Sequence, residues 1–105
     1  MTNSVVTFDA IGPTAVQVKT SAGTLFGYDI ASSDTNSMLI YFYDKATTPV
    51  LNVDTPLLKL LIPAKANTSR TSTTGMTLAN GLFIIVTGLS GVTQSGHITG
   101  YIEYA

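Results

Sequence analysis

Any chemistry in this chain must be built without cysteine and around one histidine, His97. One imidazole makes no pair for zinc, and no carboxylate stands at short spacing to orient it against a serine hydroxyl. His97 therefore reads as a strand-surface residue. The lack of cysteine removes disulfides, thiolate zinc sites and thiol nucleophiles together, and leaves the redox compartment open. Gly88-Leu89-Ser90-Gly91 has the outline of a nucleophile elbow but neither the G-x-S-x-G spacing nor a following helix, so it reads as a hairpin turn. Asp29, Asp34, Asp44 and Asp54 are scattered where strands end and loops begin, positions at which Asp accepts local backbone hydrogen bonds. Loop carboxylates of a sandwich can converge on calcium, and Asp34, Asp44 and Asp54 would head such a ligand set, but no D-x-[DN]-x-[DN]-G loop is present. Glu103 is an unpromising glycosidase acid. The expectation is a protein with no catalytic residues, no metal and no cofactor.

Five tyrosines, Tyr28, Tyr41, Tyr43, Tyr101 and Tyr104, are the remaining side chains with recognition chemistry. They could stack on sugar rings, as in a carbohydrate-binding module, or sit where the core meets a subunit interface with their hydroxyls reaching polar partners. The absence of tryptophan favours the second reading. Two segments sharpen it. Met38-Leu39-Ile40-Tyr41-Phe42-Tyr43 and Leu82-Phe83-Ile84-Ile85-Val86 are apolar on both faces. Such strands are either central and covered or have one face against a neighbour. Tyr41, Tyr43, Phe83 and Ile85 are accordingly the candidate interface residues.

The elements that must position these residues are strands. Thr, Val and Ile supply about a third of the chain, and β-branched side chains suit a pleated, half-buried surface better than a helix. Turn-forming clusters at 10–13, 20–23, 32–36, 45–49, 63–67, 88–91 and 94–96 divide the sequence into short runs. The runs predict strands at 5–9, 15–19, 24–30, 38–43, 57–62, 69–73, 82–87 and 97–104. Pro56 and Pro63 bracket the Leu-rich fifth run and argue for an extended segment there rather than a helix. The Thr/Ser stretch 68–74, with its lone Arg70, reads as a polar loop or an edge strand guarded by a charge. Asn67-Thr68-Ser69 fits a glycosylation sequon but reads as plain polar loop. In the last strand, Ile98, Gly100, Ile102 and Tyr104 share the core face and His97, Thr99, Tyr101 and Glu103 the other. Val16, Val18, Leu25, Ile40, Phe42, Leu58, Leu60, Ile84 and Ile98 are expected in the core. The fold class is all-β: one antiparallel, jelly-roll-like sandwich of about eight strands, filling residues 1–105.

Charge narrows the partners. Only 10% of residues are Asp, Glu, Lys or Arg, where a monomer surface usually carries about 25–35%. A surface so weakly self-repelling, with strands apolar on both sides, predicts a homo-oligomer. Five basic against six acidic residues without a basic cluster give no field for nucleic acid. The start of the sequence, Met1-Thr2-Asn3-Ser4-Val5, has neither a basic nor an apolar leader region. With no apolar run near about 18 residues, neither secretion by that route nor a membrane partner is expected.

Whole segments add a resemblance. Residues 18–28, Val-Lys-Thr-Ser-Ala-Gly-Thr-Leu-Phe-Gly-Tyr, and Tyr41-Phe42-Tyr43-Asp44-Lys45-Ala46 resemble small β-sandwich virion proteins of tailed bacteriophages. Asp54-Thr55-Pro56-Leu57, Ile62-Pro63, Gly75-Met76, Gly81-Leu82 to Thr87-Gly88 and Tyr101-Ile102-Glu103-Tyr104 continue it in the same order, over about residues 15–105. These motifs are structural punctuation and carry no catalytic residues. The resemblance implies a capsid decoration or cement protein, typically an oligomer and often a trimer. It would be made in the host cytoplasm and bound to the major capsid protein at the virion's capsid surface. A tail- or fibre-associated role is its alternative.

Overall fold

The computed structural model describes residues 4–10, 15–51, 53–88 and 98–105. Eight strands occur among them and no helix: β1 (Ser4–Ala10), β2 (Val16–Lys19), β3 (Gly23–Ser32), β4 (Met38–Tyr43), β5 (Leu58–Ile62), β6 (Asn67–Leu78), β7 (Leu82–Gly88) and β8 (Ile98–Tyr104). They form two four-stranded sheets, β1-β8-β3-β6 and β2-β7-β4-β5, in which every pairing is antiparallel. The order is nested. β4 pairs with β5, β3 with β6, β2 with β7 and β1 with β8, as in a long hairpin rolled into a two-layer jelly roll.

The core lies between the sheets and is built by strict alternation. Ile30, Ile98 and Ile102 of the first sheet face Met38, Ile40, Phe42, Ile62, Leu82, Ile84 and Val86 of the second, all with no exposed surface. All nine expected core residues lie in this cluster: Leu25, Ile40, Phe42, Ile84 and Ile98 are buried, and Val16, Val18, Leu58 and Leu60 pack partly buried against them. Inside the core the Tyr28 and Phe42 rings meet across the sheets at 5.5 Å with their planes tilted by 44°, an arrangement that suits their quadrupoles.

The main departure from the sequence reading is in β6. The strand starts at Asn67, two residues before the expected start at 69, and runs on to Leu78, well beyond the expected end at 73; it is the edge strand that was one of the two readings of 68–74. The punctuation at Gly75 is real but local. Between Gly27↔Thr71 and Leu25↔Met76 the register slips, and Gly75 sits in the slip at φ 71°. A bulge lets the ladder absorb extra residues and continue, and glycine supplies its left-handed residue without strain. Any Cβ there would strike the Thr24 methyl. The connections from 11 to 14 and from 89 to 97, which contain parts of the turns expected there, lie outside the described residues.

Candidate functional site

β4 and β7 are the two central strands of the second sheet, which explains why their sequences are apolar on both sides. Their outward residues form a small second cluster, with Tyr43, Phe83 and Ile85 buried and Tyr41, Ala15 and Leu51 packed around them. Register brings these residues together, since Tyr41 stands opposite Ile85 and Tyr43 opposite Phe83. The Tyr41 and Tyr43 rings, two residues apart on one strand face, stack at 6.2 Å. Lys59, opposite Tyr41 on β5, holds its ammonium 5.3 Å from the Tyr41 ring centre.

The cluster is covered by the chain itself. Segment 44–57, which links β4 to β5, lays Leu51 onto it and turns its neighbours Val50 and Val53 outward, 54% and 75% exposed. Of the four candidate interface residues, Tyr43, Phe83 and Ile85 are buried within the chain and Tyr41 is half-buried, with Leu51 and Ala15 packed against the group. The Tyr43 hydroxyl is buried with no hydrogen-bond partner among the described residues. Burial, followed by the nearby Tyr41 and Asp54, pushes its pKa upward.

Two aspartates hold the covering segment in place. Asp44, at its root, accepts N–H hydrogen bonds from Ala79 (2.9 Å), Asn80 (2.8 Å) and Gly81 (3.2 Å), clasping the β6–β7 turn. Desolvation pushes the Asp44 carboxyl up, but these three donors together outweigh it and hold it below the usual carboxylate value. Asp54 accepts the Val50 N–H at 2.6 Å and pairs with Lys45 at 3.1 Å. The Val50 N–H and then Lys45 hold Asp54 below the usual value as well. Asp34 lies at the other end of β4, fully buried, where its carboxylate accepts the Asn36 N–H at 2.9 Å. The three aspartates considered for calcium are thus each engaged with the backbone of a different turn. No group of three potential ligands converges among the described residues.

On the outer face of the first sheet, alternation places Val5, Thr7 and Asp9 of β1, Thr99, Tyr101 and Glu103 of β8, and Gly27, Asp29 and Ala31 of β3. Tyr101 is 43% exposed and stands between Thr7 and Asp29. His97 lies outside the described residues. No helix among the described residues is long and apolar enough to cross a membrane.

The structure defines an antiparallel jelly-roll sandwich. No family model matches the chain, and no curated protein sequence does. The chain also aligns with solved structures. A chain of the disulfide-linked pili of Bacillus endospore appendages aligns over 99% of this chain and 87% of its own, with a TM-score of 0.50 and 15% identity. The coat protein of Tobacco streak virus aligns over 98% and 85%, with a TM-score of 0.48 and 12% identity. At 15% identity the first likeness is one of fold.

Proposed function

We propose that this chain is a structural subunit of a protein assembly, and more narrowly a capsid decoration or cement protein of a tailed bacteriophage that acts as a trimer on the major capsid protein. One observation carries the broader reading. All the exposed large apolar residues among those described, Val5, Val50, Val53, Leu61 and Tyr101, lie on the two broad outer surfaces of the sandwich. A surface poor in charge that also presents such side chains suits contact with other subunits. The pilus chain supports this reading, since the same architecture serves a polymer there. The narrower reading rests on the sequence resemblance alone. A cement protein needs no chemistry: by binding the assembled shell selectively it stabilises that state by linkage, and many copies multiply a modest contact.

The test has two arms. Light scattering at micromolar concentration should report an oligomer, and a monomer would overturn that part. Mixing the protein with undecorated shells should deplete it from solution on sedimentation and raise the temperature at which the shells release DNA. Shells that neither take up the protein nor gain heat resistance would exclude the cement role and leave a tail- or fibre-associated subunit as the better account. A sugar-binding module is a different class of answer. Of the five tyrosines considered, Tyr28 and Tyr43 are buried, Tyr41 and Tyr104 half-buried and Tyr101 exposed, so a glycan-array signal should depend chiefly on Tyr101.

A further inference from the structure

The two outer surfaces differ in kind. On the first sheet, every charged position of the outer face among the described strand residues is acidic: Asp9, Asp29 and Glu103. They surround the exposed Tyr101 and Val5. On the second sheet, Lys59 is the charge on the open part of the outer face. Leu61, 54% exposed, lies two residues along the same strand, with Leu39 opposite it and Tyr41 opposite Lys59. Lys45, in the connection from β4 to β5, is already paired with Asp54.

We propose that copies of this chain associate through unlike faces, the acidic Tyr101 face of one copy docking on the apolar, Lys59-centred face of the next. The inference rests on the reading of the chain as an assembly subunit and specifies its self-contact. Charge complementarity selects the occupant. Two like faces of the first sheet would bring two sets of three carboxylates together, which like-charge repulsion opposes. The unlike pairing sets Lys59 against carboxylates and Leu61 against Val5 and the Tyr101 ring. Because the two patches lie on opposite sides of the sandwich, the contact is heterologous. Each copy keeps one unused patch of each kind, and the assembly either closes into a ring, of which a trimer is one, or grows as a filament.

Charge reversal on each face tests this by sedimentation velocity. Lys59→Glu removes the cation from one patch and Asp29→Lys weakens the acidic character of the other; both positions lie on outer faces, away from the core. Each variant alone should self-associate at least roughly tenfold more weakly than the unaltered chain. Mixed together, they should co-assemble into oligomers of alternating copies, because the two unaltered patches meet in one contact and the two altered positions, again of opposite charge, meet in the next. The double variant should regain self-association, and added salt should weaken every one of these contacts. If the unaltered chain oligomerises while both single variants match it, the unlike-face contact is wrong and the assembly reading survives. If the unaltered chain is monomeric, both fall. If Lys59→Glu alone dissociates the oligomer and mixing restores nothing, the contact joins like faces of the second sheet and the proposal is overturned.

Discussion

At the scale of single residues, Tyr43 shows how one position can be legible in type and hidden in role. Its strand, its outward direction and its proximity to Phe83 all follow from alternation and register. Its burial does not, because Leu51 from the connection to β5 and Ala15 from before β2 pack on its cluster, and no local period announces such contacts. The ring packs fully, while the hydroxyl has no partner among the described residues. Removing the hydroxyl and removing the ring should therefore differ sharply. Tyr43→Phe is expected to leave stability unchanged or raise it by up to about 1 kcal/mol, since an unpaired buried polar group is lost. Tyr43→Ala should cost about 3–5 kcal/mol through the cavity it opens. Urea denaturation of the two variants measures both, and a Tyr43→Phe protein several kcal/mol weaker would show that the hydroxyl is bonded. The left-handed angle of Gly75 was not legible, since one sequence does not tell whether a glycine ends a strand or bulges it. Tyr101 was placed on the open face by alternation, yet its exposure beside Val5 and Asp29 needed the partner strands.

At the scale of elements, the clasp of Asp44 on the β6–β7 turn joins parts of the chain 35 to 37 residues apart. The residue type announced a backbone acceptor at a strand end, but not which backbone. Asp44→Ala frees three N–H groups at the turn, and a cost of about 1–2 kcal/mol is expected from the lost hydrogen bonds. The clasp also fixes a pH response. The Asp44 and Asp54 carboxyls lie lower in the folded chain than their ordinary value near 3.8. A depressed value means that the unfolded chain binds protons first as the solution is acidified. Their contribution is therefore fully present above the ordinary value and disappears as pH falls through the folded values beneath it. Melting temperatures should stay level from neutrality toward pH 5 and fall below pH 4, and Asp44→Ala should flatten that fall. An equally steep fall in the variant would move the acid sensitivity elsewhere.

At the scale of the whole molecule, the all-β sandwich was legible because its signals are local and repeated: strand formers, turn clusters between short runs, and alternation in runs such as the last strand. The pairing of strands carries no local signal, so the nested order and the identity of the central strands had to come from the structure. The same limit explains the interface residues. Apolar second faces on β4 and β7 follow from their central position, and the covering segment then places the open apolar surface at Leu61, Val50 and Val53 instead. If those side chains meet other subunits, the chain's stability measured alone understates its stability in the assembly, because partners that bind the folded state add to it by mass action.

The nested ladder also orders events in time. Among the described strands, only β4 and β5 are both consecutive in sequence and paired, meeting at Phe42↔Leu58, whereas β1 and β8 meet at Ser4↔Tyr104 across nearly the whole chain. Closing the outermost pair directly would require the largest loop, but once the inner pairs stand, each later closure adds only short connections. The chain should therefore zip from the β4–β5 end outward, within the milliseconds-to-seconds range of non-local β folds. Shaving Ile40 to Val should then slow refolding, and shaving Ile102 to Val should chiefly hasten unfolding. Stopped-flow tyrosine fluorescence reads both limbs, and a refolding rate that depends on Ile102 as strongly as on Ile40 would mean that the ends of the ladder meet early.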